Sequence, residues 1–389
     1  GWGCWGGGAL LKYLIEVIEP GLLTTVQDTG RRGYARYGVP TSGAMDTFAL
    51  RVANILVGTP EGEACLEITV TGPRLRFLSD ALVALTGADL APRLDGEPMR
   101  MWEAVTVRSG STLSFEGPRE GSRTYLALAG GIDVPRVMGS KSTYLKAQLG
   151  GLEGRALKSG DRLGAPLPSP PHELEGRRAP RDLTPTYGHQ HLIRVITGPQ
   201  DDAFTKKGLK TFLRSVYTIT PQSDRMGYRL EGPKIQHKES PDIISDGIPL
   251  GGIQVAGDGM PIVLMADRGT SGGYTKIATV ISVDVDVLAQ SMPGDEVRFE
   301  AVGIEQAHEA LRQQEQVISR LKAMVGSPRA TRKFKMRLDG VAYDISVELA
   351  QDEPVGGKQG PRASGRVSLK GEEDETYTYQ VDAESVEEE

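Results

Sequence analysis

Three stretches of this chain concentrate side chains able to do chemistry on a small polar molecule. They are TVQDTGRRGYARYGVPTSGAMD (residues 25–46), SDRMGYRLEGP (223–233) and GGIQVAGDGMPIVLMADRGTSGGY (251–274). Each is dense in glycine, arginine, aspartate or glutamine. Glycine lets the backbone approach a ligand closely and aim its N–H groups at an oxygen. Arginine grips a carboxylate with two parallel hydrogen bonds. Glutamine and aspartate pair with the N–H and C=O of an amide or ureido group. The composition therefore points to a small anionic or amide-like ligand. The plain alternative is a set of tight turns stitched by Arg–Asp surface pairs.

Other chemistries find less support. GSKST at 139–143 looks like half of a phosphate loop, but Ser140 stands where the full pattern needs glycine before the lysine, and residues 132–138 supply no earlier glycine. No Gly-x-Gly-x-x-Gly opens a helix after a strand. His189 and His191 form an H-x-H pair with no Cys or acidic cluster at matching spacing, so they read as surface histidines at a strand start, and no metal site is expected. No Gly-x-Ser-x-Gly elbow is present. Of the two cysteines, Cys65 lies in the apolar run ACLEITV and reads as a small buried hydrophobe, while Cys4 belongs to the atypical opening GWGCWGGGAL.

The elements that must position these loops are mostly short strands. The chain has 389 residues, with 49 Gly and 24 Pro, which favours many turns. YLIEVIE (13–19) alternates like a half-buried strand. MDTFALRVANILVG reads as a helix with Phe48, Val52, Ile55 and Leu56 on one face, Ser42 or Asp46 as cap, and Gly58 as stop. Short strands then run from 64 to 165, with an Asp-Gly hairpin in LDGEP (94–98). Residues 165–190 are rich in Pro and charge and read as a linker. A second β-rich block runs from HLIRVITG through TVISVDV to DEVRFEAV. A helix follows at about 303–324 with Ile304, Leu311, Ile318 and Leu321 on one stripe. GSTLSFE (110–116) and GDEVRFE (294–300) share a frame that suggests duplication. KFKMRLDGVAYDISVE reads as a hairpin turning at Asp339-Gly340, and the end is acidic. The resulting division is a disordered leader or expression artefact at 1–11, modules at 12–165 and 191–325, a linker at 166–190, and a hairpin extension with acidic tail at 326–389.

The net charge of −6 argues against nucleic acid as a main partner. No apolar run reaches the roughly 18 residues of a membrane span. Low cysteine usage fits a reducing cytoplasm.

In order along the chain, TVQDTGRRGYARYGVPTSGAMD, ANILVG, LEITVTGP, ALAGGIDVPRVMGSKST, GPQDDAF, SDRMGYRLEGP, IISDGIPLGGIQVAGDGMPIVLMADRGTSGGYTKIATVI and LAQSMPGDEVRF resemble the carboxyltransferase family shared by urea amidolyase and 5-oxoprolinase, of the antagonist-of-kinase-inhibitor type. The resemblance covers about residues 13–310. It implies a mainly β fold of two cyclophilin-like β-barrel modules with a few helices. It implies a kinase-inhibitor-like carboxyltransferase subunit and a lactam-utilisation-type subunit as partners, in an ATP-dependent 5-oxoprolinase that opens 5-oxoproline to glutamate, or in a related biotin-dependent complex. No Ala-Met-Lys-Met-like lysine motif is present, so biotin, if used, sits on a carrier protein or another chain. No nucleotide loop is visible, so ATP belongs to the complex rather than to a linear motif here.

A lactam or urea resists attack because its nitrogen lone pair is delocalised. In such a site Arg31 or Arg225 would clamp an anionic group, Gln27 or Gln254 would orient the amide, and Asp28 or Asp258 would act as base or hydrogen-bond acceptor. Backbone N–H groups around Gly130-Gly131 and Gly272-Gly273 would stabilise oxyanion charge, at about 3 kcal/mol per donor. Asp267-Arg268 reads equally as a structural pair, and Asp46 equally as an ordinary helix start. The rival function is a regulatory binding module that sequesters a kinase-inhibitor-like partner.

Overall fold

The alternating YLIEVIE run forms the strand Lys12–Glu19, whose inward residues Ile15 and Val17 are fully buried. It lies in a six-stranded sheet with the spatial order 162–165, 12–19, 74–77, 112–115, 92–94 and 97–98. The tight turn after Leu94 is made by Asp95 and Gly96, both at positive φ, as the Asp-Gly pair foretells. A second sheet orders 23–27, 65–69, 120–128, 81–89 and 104–107. Its strands 65–69 and 81–89 are buried almost throughout. The two sheets enclose one core, in which Phe77, Leu66 and Leu126 are fully buried.

The computed structural model describes residues 12–165 and 172–326, and the backbone of strands at 331–338, 341–350, 363–370 and 376–383. The expected leader with Cys4, the Asp339-Gly340 turn, the acidic end and residues 166–171 of the expected linker lie outside the described residues.

Helix α1 (Thr47–Leu56) begins at Asp46, whose carboxylate accepts from the Ala49 N–H, so Asp46 rather than Ser42 is the cap. It is buried on nearly every side, against strands 81–89 and 120–128. Helix α2 (Lys206–Arg214) is capped by Thr205 and had no sequence expectation. Helix α3 (Ser282–Ala289) overturns part of the strand expected in TVISVDV. The strand ends at Val280, and the Val-Asp alternation that mimics a strand continues as helix. Both aspartates are buried because they bind other elements. Asp284 accepts from the Arg194 N–H at 2.7 Å and pairs with its guanidinium, and Asp286 accepts from the Thr47 N–H at 2.8 Å. Helix α4 (Ile304–Gly326) matches its expectation in place but not in stripe. Ile318 and Leu321 are buried beside α1, whereas Ile304 and Leu311 are exposed.

The second half closes a seven-stranded barrel, ordered 190–197, 276–280, 252–255, 261–264, 227–231, 217–219 and 296–301. Closure is through a parallel pair, Gln190–Val195 against Glu296–Ala301; the other pairs are antiparallel. Part of the expected loop SDRMGYRLEGP is therefore the barrel strand Gly227–Glu231. Met45, from the opening glycine-rich loop, is packed into the barrel's own core cluster, which joins the halves. Among the described residues a two-stranded ribbon, Asp242–Gly247 with Ser271–Tyr274, pairs only with itself.

The chain divides into two units at Val325/Gly326. The second unit is a four-stranded antiparallel meander in chain order. Among the described residues no helix is long and apolar enough to cross a membrane.

Candidate functional site

The opening loop, the Arg225 turn and the end of strand 261–264 meet at the junction of the two halves. Arg225 is the centre. Its Nε and Nη2 donate to Asp267 at 2.9 and 3.1 Å, Nη2 also donates to the Gly43 carbonyl at 2.6 Å, and Nη1 donates to Glu67. The side chain is buried, as are Glu67 and Asp267. Burial opposes its charge, but Glu67 and Asp267 outweigh that cost and hold the guanidinium more firmly protonated than usual. Glu67 also accepts from the Met45 N–H and from the Tyr125 hydroxyl, both at 2.8 Å. The Ser42 hydroxyl lies between Asp267 and the Thr143 carbonyl, with its backbone at φ 55°, a left-handed strain that surrounding contacts must maintain. At Gly43, φ is 87° and an added Cβ would meet the Gly30 nitrogen at 2.8 Å, so the loop closes on itself only with glycine there.

One layer away, Asp28 is held by the GSKST segment. Its carboxylate accepts from the Gly30 N–H, the Ser140 hydroxyl and the Lys141 N–H, each at 2.7 Å, and from the Ser142 hydroxyl. The Lys141 ammonium turns to Glu63 and to the Ile132 carbonyl, both at 2.8 Å. The segment that resembles half a phosphate loop is thus folded around a protein carboxylate. Arg31 is 1% exposed and donates through Nη2 to the Ser142 carbonyl. Its Nε and Nη1 have no partner among the described residues. Burial lowers its affinity for the proton, while Asp28 and Asp267 pull the other way. Gln27 donates to Thr25 and to the Thr143 carbonyl, leaving its buried Oε1 without a partner among the described residues.

The sequence-expected residues fall into three groups. Gln27, Asp28, Arg31 and Arg225 share the junction. Gly130 and Gly131 end strand 120–128 near it: the Gly131 N–H donates to the Leu128 carbonyl, and a Cβ at Gly131 would meet the side chain of Glu63, the partner of Lys141. Gln254, Gly272 and Gly273 lie together on the flank of the barrel, where a Cβ at Gly272 would approach Gln254 Nε2 to 2.9 Å. Asp258 stands apart, in an exposed hairpin turn, accepting from the Met260 N–H.

Sequence reasoning missed Glu67, Ser140, Ser142 and Lys276. A lone acid inside the apolar run ACLEITV was a usable signal, because an unpaired buried carboxylate is costly and demands a cation. His191 corrects an expectation: it is buried, 3.6 Å from Asp295, which His189 also contacts at 2.7 Å. Cys65 is buried as expected, and burial raises its thiol pKa. Among the described residues no cluster could hold a metal ion.

A family model for the carboxyltransferase domain, subdomains A and B, matches residues 37–301. The chain belongs to this carboxyltransferase family. The match runs from inside the opening loop to the last barrel strand, so it contains Ser42, Glu67, Arg225 and Asp267. The carboxyltransferase chain is 39% identical over 313 residues to a 5-oxoprolinase subunit of Escherichia coli strain K12, covering 79% of this chain and 97% of that one. It is 34% identical over 360 residues to urea amidolyase of Saccharomyces cerevisiae, covering 88% of this chain and 19% of that one. The crystal structure of Kluyveromyces lactis urea carboxylase superposes with a TM-score of 0.76 at 28% identity, covering 95% of this chain and 34% of that one. The mainly β architecture is therefore that of a carboxyltransferase domain.

Proposed function

We propose that this carboxyltransferase chain is a subunit of an ATP-dependent 5-oxoprolinase, acting on 5-oxoproline or a related amide together with a kinase-inhibitor-like subunit and a lactam-utilisation-type subunit. The observation that carries the reading is the buried Arg31 guanidinium. Among the described residues its Nε and Nη1 stay unpaired beside a rigid frame of Asp28, Ser142 and Asp267. A buried cation with unpaired donors is suited to an anionic oxygen that the chain does not itself supply. The near full-length likeness to a 5-oxoprolinase subunit supports the substrate.

ATP does not fit the GSKST segment of this chain. Asp28 takes the Lys141 N–H and the Ser140 and Ser142 hydroxyls, the Val26 carbonyl takes the Thr143 N–H and hydroxyl, and Glu63 takes the Lys141 ammonium, so no phosphate cradle is left there. We assign ATP to the partner subunits, and biotin, where a related complex uses it, to a separate carrier. The work left to this chain is to bind and orient: Arg31 holds the anionic oxygen that develops on the activated amide, Gln27 Oε1 accepts an amide N–H, and the Arg225–Glu67–Asp267 frame fixes the wall that carries them. Solvent exposure of Ile244, Leu250 and Tyr274 around the ribbon suits a protein that docks on others.

The test mixes the chain with its two partner subunits, ATP and 5-oxoproline, and follows ADP and glutamate. Turnover that falls at least about a hundredfold in Arg31→Gln, with assembly intact, supports the reading. A complete mixture that turns over neither 5-oxoproline nor a urea-like amide, yet assembles, favours a regulatory module that sequesters its partner.

A further inference from the structure

Lys276 is a second buried cation, and its counter-ion is unlike that of Arg225. Lys276 lies on barrel strand 276–280 with its side chain 1% exposed, while its partner Asp246, 2.9 Å away, is 53% exposed. Arg225 pairs with carboxylates as buried as itself. An ammonium has three donors; among the described residues Lys276 Nζ makes the single bond to Asp246. The same Asp246 oxygen accepts from Gln200 Nε2 at 3.3 Å, and Gln200 Oε1 in turn accepts from the Lys276 N–H at 3.0 Å. Gln254 is the cross-strand partner of Lys276, and its amide makes only a long 3.4 Å bond to the Tyr274 carbonyl. One ammonium and one amide thus converge on a carboxylate oxygen, with a second amide on the next strand.

Asp246 is delivered by the ribbon, which has no strand partner outside itself among the described residues and is exposed along most of its length, Ile244 at 95%. Two-stranded ribbons are marginal on their own. Lifting this one would leave a buried ammonium unpaired, which is costly unless another anion arrives. We propose that Lys276 is a ligand-binding cation and Asp246 its internal stand-in: a small carboxylate-bearing ligand displaces Asp246 from Lys276 and Gln200 as the ribbon opens. Its ligand class rests on the function proposed above, since 5-oxoproline is a lactam that carries a carboxylate.

The experiment is titration calorimetry of the full chain with 5-oxoproline and with its uncharged parent lactam, 2-pyrrolidinone. Wild type should bind the carboxylate compound about tenfold tighter, the scale of one charged hydrogen bond. Lys276→Gln should erase that difference. Asp246→Asn removes the competitor and should tighten 5-oxoproline severalfold while leaving 2-pyrrolidinone unchanged. A merely structural ion pair gives the opposite: Asp246→Asn then weakens or does not alter carboxylate binding, and that result overturns the proposal. Should Lys276→Gln fail to fold by circular dichroism, the sign of the Asp246→Asn effect decides alone. No preference in wild type and none gained in Asp246→Asn also overturns it. Turnover of 5-oxoproline by the assembled subunits with no Asp246→Asn effect removes the gate and keeps the function. A gain in Asp246→Asn without turnover keeps the anion site and removes the function.

Discussion

Two buried cations, one at the junction and one on the flank of the barrel, are held in different ways. Arg225 is locked: each nitrogen of its guanidinium is engaged by Glu67, Asp267 or the Gly43 carbonyl, and all three side chains are sealed from water. Lys276 is only latched, by a carboxylate that stands half in solvent on a ribbon. The lesson is that equal burial of two charges does not mean equal commitment. A cation saturated by buried partners builds structure, and one held by a solvated partner is available for exchange.

The largest expected effect comes from breaking the lock. Arg225→Met leaves Glu67 and Asp267 buried without their cation and should cost about 3–5 kcal/mol in urea unfolding. A loss under about 1 kcal/mol would show that the frame is dispensable. Next comes Gly43→Ala, where positive φ and the 2.8 Å approach to the Gly30 nitrogen combine. A loss of about 1–3 kcal/mol is expected, with Arg225 pairing disturbed through the Gly43 carbonyl; an unchanged unfolding midpoint would refute it.

A third effect concerns acids that bridge the halves. Burial first, and Asp286 second, raise the Asp46 pKa to about 8, and burial raises that of Asp286 to about 6. Asp46 accepts from Gln290 at 2.7 Å and faces the Tyr187 hydroxyl, while Asp286 accepts from Thr47 and Gln314. Unfolded carboxyls titrate at about 4, so between there and about pH 8 the native chain holds protons that the unfolded chain has released. Stability from this pair therefore falls as pH rises through that window. Asp286→Asn should flatten the slope by on the order of 1 kcal/mol across it, read as denaturation midpoints against pH; a slope as steep as wild type's would count against the account. The smallest effect belongs to the latch: Asp246→Asn should cost less than about 1 kcal/mol in urea unfolding, because the carboxylate it replaces is half in solvent and the asparagine side-chain oxygen still accepts from the Lys276 ammonium. A larger loss would make Asp246 structural and erase the contrast with Arg225.

Local pattern was enough for elements whose partners lie nearby. YLIEVIE alternates and is a strand, the Asp95-Gly96 pair turns a hairpin, and Asp46 caps α1. It failed where distant charge decides. Val-Asp alternation in α3 mimics a strand because Asp284 and Asp286 are buried for Arg194 and Thr47, partners remote in sequence. Half of the expected α4 stripe is exposed, since only Ile318 and Leu321 reach α1. At the site, glycine- and arginine-rich composition pointed to loops that do converge: Ser42, Gly43, Arg225 and Asp267 are hydrogen-bonded to one another there. Glu67 and Lys276 stayed hidden because a charged residue inside a strand shows its purpose only when its counter-charge is located.

Met45 and the shared salt links around Arg225 carry a consequence for anyone dissecting the protein. Severing the polypeptide between its two β-rich halves would strip a hydrophobic plug from one fragment and leave Glu67 without its cation in the other. Neither piece should survive alone, and co-expressed fragments should recover only by reassembling, so a deletion series is better begun from the boundary at Val325/Gly326.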